Sequence, residues 1–215
     1  MSLVLHYHPL SSFCWKVLIP LYEMEIAFEP NLVNPGDPES RARFAALSPL
    51  AKMPVLEDRA RGAVVPETSI IIDYLETHYG GLQLIPDDPD EAREVRLWDR
   101  IYDNYVQHPM QRIVADRLRP AGQCDPYGVA EARAALATGM AVVEKQVAGK
   151  TWAAGESFTM ADCAAAPALF YANKVMPLEG IYPEALALLD RLKPRPSFAR
   201  VLDEAAPFFQ YFPEE

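Results

Sequence analysis

"SPLAKMPVLEDRARGAVVPETSIIIDYLE", Ser48 to Glu76, contains two short β-like runs, a tight turn between them and a helix directly after. "MPVLE" (53–57) and "GAVVPE" (62–67) are rich in strand-forming residues, and the turn-like "DRAR" holds them close enough for an antiparallel hairpin. "TSIIIDYLETHY" (68–79) then spaces its apolar residues as a helix does. Upstream, "LVLHY" (3–7) reads as a strand, Phe13 to Glu23 as a helix, "IAFEPNLV" (26–33) as a strand and "DPESRARFAAL" (37–47) as a short helix. The order is β-α-β-α-β-β-α. Such an order builds a parallel pair through the first crossover, extends it by the hairpin and covers it with helices.

Downstream, "GGLQLIPDDPDE" (80–91) gathers two glycines, two prolines and four acidic residues. This predicts a linker at 80–90 between a domain at 1–79 and another at 91–215. Residues 90–119, 127–148, 160–173, 183–193 and 197–205 all carry helical apolar spacing, broken by "RPAGQCDPYG" and "KPRP". The predicted fold is an α/β domain followed by an all-helical bundle. Within that bundle, Thr159 and Asp162 stand in the S/T-x-x-D relation just before an Ala-rich run, which predicts a capping box. Asp162 is therefore read as a structural cap rather than a catalytic acid.

Composition narrows the function classes. Half of the 215 residues are hydrophobic, and the formal charge is −10 without a basic stripe, so nucleic acid is not an expected partner. No apolar run approaches the roughly 18 residues of a membrane span, and no charged segment leads into a long apolar one, so a cytoplasmic location with no membrane partner is expected. Cys14, Cys124 and Cys163 lack metal spacing and fit reduced thiols. The four histidines do not cluster either, and no metal is expected.

The β-α-β-α-β-β-α order, the Met53–Pro54 step, "SPLAKMPVLE" (48–57), "PETSIIIDYLE" (66–76), "FTMADCA" (158–164) and the "SS-x-C" corner after the first strand together resemble the cytosolic glutathione transferase family. The serine-type corner is similar to that of theta- and zeta-like members, with no class matched cleanly. The resemblance implies a thioredoxin-like first domain, glutathione as co-substrate and transfer of its thiolate to a small apolar electrophile. It also implies a homodimer and a role in detoxification. Met53 would precede a cis proline, Pro54, and offer its backbone to the extended cysteinyl part of glutathione. Glu67 and Thr68, at the start of a helix, would take the ammonium and carboxylate of the γ-glutamyl end. Lys52 would meet the glycyl carboxylate.

"YHPLSSFCWKVLIPLYE" (7–23) supplies the candidates for the group that faces the sulfur. Ser11 and Ser12, at the loop–helix corner, suit hydrogen-bond donation to a thiolate, and no neighbouring histidine and acid suggest a serine hydrolase. Tyr7, at the strand end, and Cys14 are the alternatives. The isomerase-like class has its cysteine directly after two serines, whereas Phe13 intervenes here. A thiol-disulfide reductase working through Cys14, a maleylacetoacetate-isomerase-like enzyme and a non-catalytic glutathione-binding module therefore remain as alternative functions. The electrophile pocket is expected from aromatic residues of the helical half: Trp98, Tyr102 and Tyr105 on one stripe, and Phe208 with the rest of "PFFQYF" in the tail.

Overall fold

The computed structural model describes residues 2–213; residues 1, 214 and 215, at the outer ends of the expected domains, lie outside them. Strand β1 (Leu3–Tyr7) leads into helix α1 (Ser12–Glu23), β2 (Glu29–Leu32), α2 (Pro38–Leu47), β3 (Val55–Asp58), β4 (Ala63–Pro66) and α3 (Thr68–Tyr79). The sheet order is β2-β1-β3-β4, with β1–β2 parallel and the β1–β3 and β3–β4 pairs antiparallel. This is the crossover-plus-hairpin arrangement predicted. β2 is shorter than expected and its residues are exposed, because it is an edge strand; Ile26 and Phe28 pack before it begins. Asp58 fastens the hairpin to α3: its buried carboxylate accepts from the hydroxyls of Tyr74 at 2.9 Å and Tyr79 at 2.5 Å.

After residues 80–88, where no helix forms, the chain is helical: α4 (Pro89–Ile101), α5 (His108–Arg117), α6 (Pro126–Val147), α7 (Met160–Val175), α8 (Pro183–Leu192), α9 (Pro196–Ala205) and a 3₁₀ turn (Ala206–Tyr211). The single helix expected over 90–119 is interrupted by a π turn at Tyr102–Gln107. The interruption lies where α6 crosses. Gly139 of α6 packs so closely there that a Cβ would stand 2.1 Å from the Tyr105 carbonyl oxygen.

Helix α1 is apolar on nearly every side and is buried almost throughout. Trp15, fully buried, stacks among Phe170 and Tyr171 of α7, Phe198 of α9 and Phe209 of the tail, with centroids 4.9–6.1 Å apart. The same core therefore runs through both halves and holds the N-terminus of α1 against the bundle. The capping box at α7 is present: the Asp162 carboxylate accepts from the Thr159 N–H at 2.9 Å and also from the Ala153 N–H at 2.8 Å. Burial pushes the Asp162 carboxyl up to about 6, opposed by those hydrogen bonds.

Candidate functional site

Two clefts meet at the N-terminus of α1. Ser11 is the N-cap; its hydroxyl oxygen accepts from the Cys14 N–H at 3.4 Å, and the first helical bond runs from the Trp15 N–H to the Ser11 carbonyl at 3.1 Å. An oxygen that accepts in this way still has its own O–H to donate. The N–H groups of Ser12 and Phe13 have no partner inside the helix, so positive potential accumulates beside that hydroxyl.

The first cleft, about 560 Å³, is the more polar of the two. Ser11, Lys52, Met53, Pro54, Glu67 and Thr68 all line it, so the structure brings together one of the two serines and all five residues expected to hold glutathione. The Met53–Pro54 peptide is cis, and Met53 lies outside the β1–β3 and β3–β4 pairings, which begin at Val55. At the far end, α3 makes its first helical bond from the Ile71 N–H to the Glu67 carbonyl at 2.8 Å. The N–H groups of Thr68, Ser69 and Ile70 thus form an anion-favouring corner. Glu67 has a φ of 69°, a left-handed conformation costing of order 1–3 kcal/mol for a non-glycine residue. Glycine would hold that turn more easily, and the position carries a carboxylate instead.

The second cleft, about 540 Å³, is mainly apolar. Leu10, Met110, Val114, Tyr171, Tyr211 and Phe212 line it, with His8, Ser11, Ser12 and Gln111 as polar groups. Ser11 and Gln111 belong to both clefts. Ser12 is buried, and its hydroxyl accepts from the Gln107 side-chain amide. Of the two serines, only Ser11 stands at the junction.

The alternatives to the serines fall elsewhere. Tyr7 faces the opposite side, lining a cleft with Tyr22 and Glu204, and burial, with Glu204 and Cys14 nearby, raises its phenol further from ionisation. Cys14 is fully buried, and that burial pushes its thiol up to about 12. A thiol so protonated and enclosed is a packing group. The lining of the apolar cleft differs from the aromatic stripe expected for an electrophile pocket. Tyr102 is fully buried in the core, and Tyr105 is turned outward by the π turn. Phe208 packs edge-on to the His8 ring at 6.3 Å and lines a smaller cavity with Tyr7 and Trp15. The tail does reach the apolar cleft, but through Tyr211 and Phe212.

A buried charge cluster beneath the polar cleft was not anticipated. The Lys16 ammonium of α1 lies 2.5 Å from Asp99 and 2.7 Å from Asp103, and it donates to the Ser69 hydroxyl at 3.1 Å. Ser69 in turn donates to Asp99 at 2.6 Å, and Arg100, which lines the cleft, contacts Asp99, Asp103 and Ser69. The cluster ties α1, α3 and α4 together directly behind Thr68. A lone lysine inside "CWKVLIPL" is the sequence signal that could have revealed it, since a cation on an all-apolar helix needs a buried partner.

Known proteins share this architecture along the chain. The N-terminal domain model of glutathione S-transferases matches residues 5–83, and the C-terminal domain model of the same family matches residues 126–204. The chain belongs to the glutathione S-transferase family. It is 29% identical over 206 residues to a glutathione S-transferase of Pseudomonas putida, covering 93% of this chain and 91% of that one. It is 26% identical over 200 residues to a probable maleylacetoacetate isomerase of Caenorhabditis elegans, covering 91% and 90%. Among solved structures, the glutathione S-transferase of Methylobacillus flagellatus, with glutathione bound, superposes with a TM-score of 0.86 at 26% identity, covering 93% of this chain and 98% of that one. As a family member the protein is a glutathione transferase, with glutathione as its co-substrate.

Proposed function

We propose that this transferase binds glutathione extended past Met53, with its γ-glutamyl end at Glu67 and Thr68 and its glycyl carboxylate toward Lys52. Ser11 donates its hydroxyl hydrogen to the sulfur, and the thiolate adds to a small apolar electrophile held in the second cleft. The observation that carries this reading is the position of Ser11 where the polar and apolar clefts join.

The size of the effect shows how the work is divided. A thiol of pKa about 8.5 is roughly 3% ionised at pH 7, and lowering it by about two units raises the thiolate on the order of 20-fold. With a Brønsted slope of about 0.4–0.5, reduced nucleophilicity removes about 8-fold, leaving a net factor near three. Holding the electrophile in the apolar cleft must supply much of the remaining acceleration.

The division between domains is placed at residues 80–90, and the protein is read as a cytoplasmic enzyme of detoxification. Exposed Val64 of β4, Ile70 of α3, Leu97 of α4 and Tyr105 support a homodimer, because such side chains on adjoining elements are suited to burial against a second copy. An isomerase is the second reading, supported by the Caenorhabditis elegans relative; conversion of a cis enone to its trans isomer without consumption of glutathione would favour it.

Titration calorimetry with glutathione tests the placement. Glu67→Ala should weaken binding by about 10-fold or more through loss of a charge-assisted contact. Unchanged affinity would remove Glu67 from the site. Binding without turnover of any aryl halide, epoxide or enone would make the chain a glutathione-binding module instead.

A further inference from the structure

The apolar cleft contains one side chain that neither the fold nor the thiolate site requires. His8 lies on the cleft wall three residues before Ser11, and its carbonyl accepts from the Ser11 N–H at 3.0 Å, so the two side chains share one rigid turn. Its Nδ1 accepts from the Leu10 N–H at 3.2 Å. A ring nitrogen that accepts carries no hydrogen, so the imidazole proton sits on Nε2. Nε2 has no hydrogen-bond partner among the described residues. Phe208 packs edge-on to the ring at 6.3 Å and restrains it from one side. Burial also lowers the His8 pKa, which keeps the ring neutral at pH 7.

We propose that His8 is a catalytic hydrogen-bond donor that presents its Nε2–H to the oxygen on which negative charge develops, and that this selects α,β-unsaturated ketones and aldehydes as electrophiles. The inference rests on the transferase reading above. The glutathione thiolate at Ser11 forms a C–S bond to the β-carbon, and the C=C pair moves to make an enolate. The enolate oxygen accepts from Nε2–H without taking its proton, and water then protonates the α-carbon. The proton released by the thiol to solvent balances the one taken up. A neutral imidazole in a mostly apolar cleft is a preorganised donor for such charge, and it stabilises the transition state more than the ground-state carbonyl. A halide leaving group gains far less from one N–H than an enolate oxygen does, so the donor sorts electrophiles by chemistry as well as by size.

The test compares kcat/KM for an enone and for benzyl chloride, whose displacement puts charge on the departing chloride and on no oxygen, in the parent, His8→Leu and His8→Gln proteins. Glutathione affinity and the ultraviolet thiolate band are measured in each. His8→Leu keeps an apolar body without a donor and should lower the ratio of enone to benzyl chloride activity by about 10-fold or more. His8→Gln restores an N–H and should recover part of that ratio. Equal losses on both electrophiles, no loss on either, or a parent that turns over benzyl chloride but no enone would overturn the proposal while leaving the transferase reading intact. A parent that binds no glutathione would overturn both.

Discussion

Replacing Lys16 by methionine keeps most of the side-chain volume and removes the ammonium 2.5 Å from Asp99 and 2.7 Å from Asp103. Lys16 and Asp99 are almost wholly buried and Asp103 nearly so, which leaves two carboxylates enclosed with Arg100 as their remaining cation. Removing one partner from a buried ion pair costs about 3–5 kcal/mol, and Arg100 places the expectation near 3. For a chain of this size that corresponds to a Tm about 6–12 °C lower. Burial already raises the Asp103 carboxyl above its ordinary range, with Lys16 pulling it down, so loss of Lys16 lets it rise further. A carboxyl whose folded pKa exceeds its unfolded value contributes stability at low pH that is lost as pH rises through the folded pKa. The deficit of Lys16→Met should therefore be larger at pH 7.5 than near pH 4.5, and adding Asp103→Asn should recover about 1–2 kcal/mol at neutral pH. Urea unfolding at both pH values is the assay. A deficit under about 1 kcal/mol at neutral pH, or one independent of pH, would refute the reasoning.

Gly139→Ala sets a Cβ against the Tyr105 carbonyl and should force α6 away from the π turn, lowering stability by about 1–3 kcal/mol in calorimetry; a neutral result would mean the crossing is looser than described. Cys14 should resist oxidised glutathione in the native protein. With its thiol near 12, only about one molecule in ten thousand is thiolate at pH 8, so a mass gain of about 305 Da should appear only on exposed Cys124. A native-state adduct mapped to Cys14 would revive a cysteine mechanism.

Much of the molecule was legible because local patterns and long-range packing agree in it. The hairpin, its turn and α3 follow from residues adjacent in sequence, and the Thr159–Asp162 box is set by a four-residue spacing. The residues of the polar cleft were picked out by the family resemblance, and Lys52, Met53, Pro54, Glu67 and Thr68 do lie along one cleft. What escaped depends on contacts between distant segments. The π turn at Tyr102–Gln107 arises where α6 approaches through Gly139, and it turns Tyr105 outward, so a helical wheel over 90–119 misassigns the stripe. The Lys16 cluster joins residues more than 80 positions apart. The sequence put Ser11 and Ser12 ahead of Tyr7 and Cys14 without ranking the two serines, because burial distinguishes them: Cys14 is enclosed, Ser12 is engaged by Gln107, Tyr7 faces away, and Ser11 alone lies between the clefts.

That assignment of Ser11 is tested by titrating the ultraviolet thiolate band of bound glutathione in the parent protein and in Ser11→Ala. A hydrogen bond to a charged group contributes about 1.5–3 kcal/mol, and 1.36 kcal/mol corresponds to one pKa unit. The bound thiol should therefore rise by about 1–2 units in Ser11→Ala, with glutathione affinity little changed where the thiol is protonated. Ser12→Ala and Tyr7→Phe should leave it within a few tenths of a unit. An unmoved titration in Ser11→Ala, or a comparable rise in Tyr7→Phe, would contradict the account.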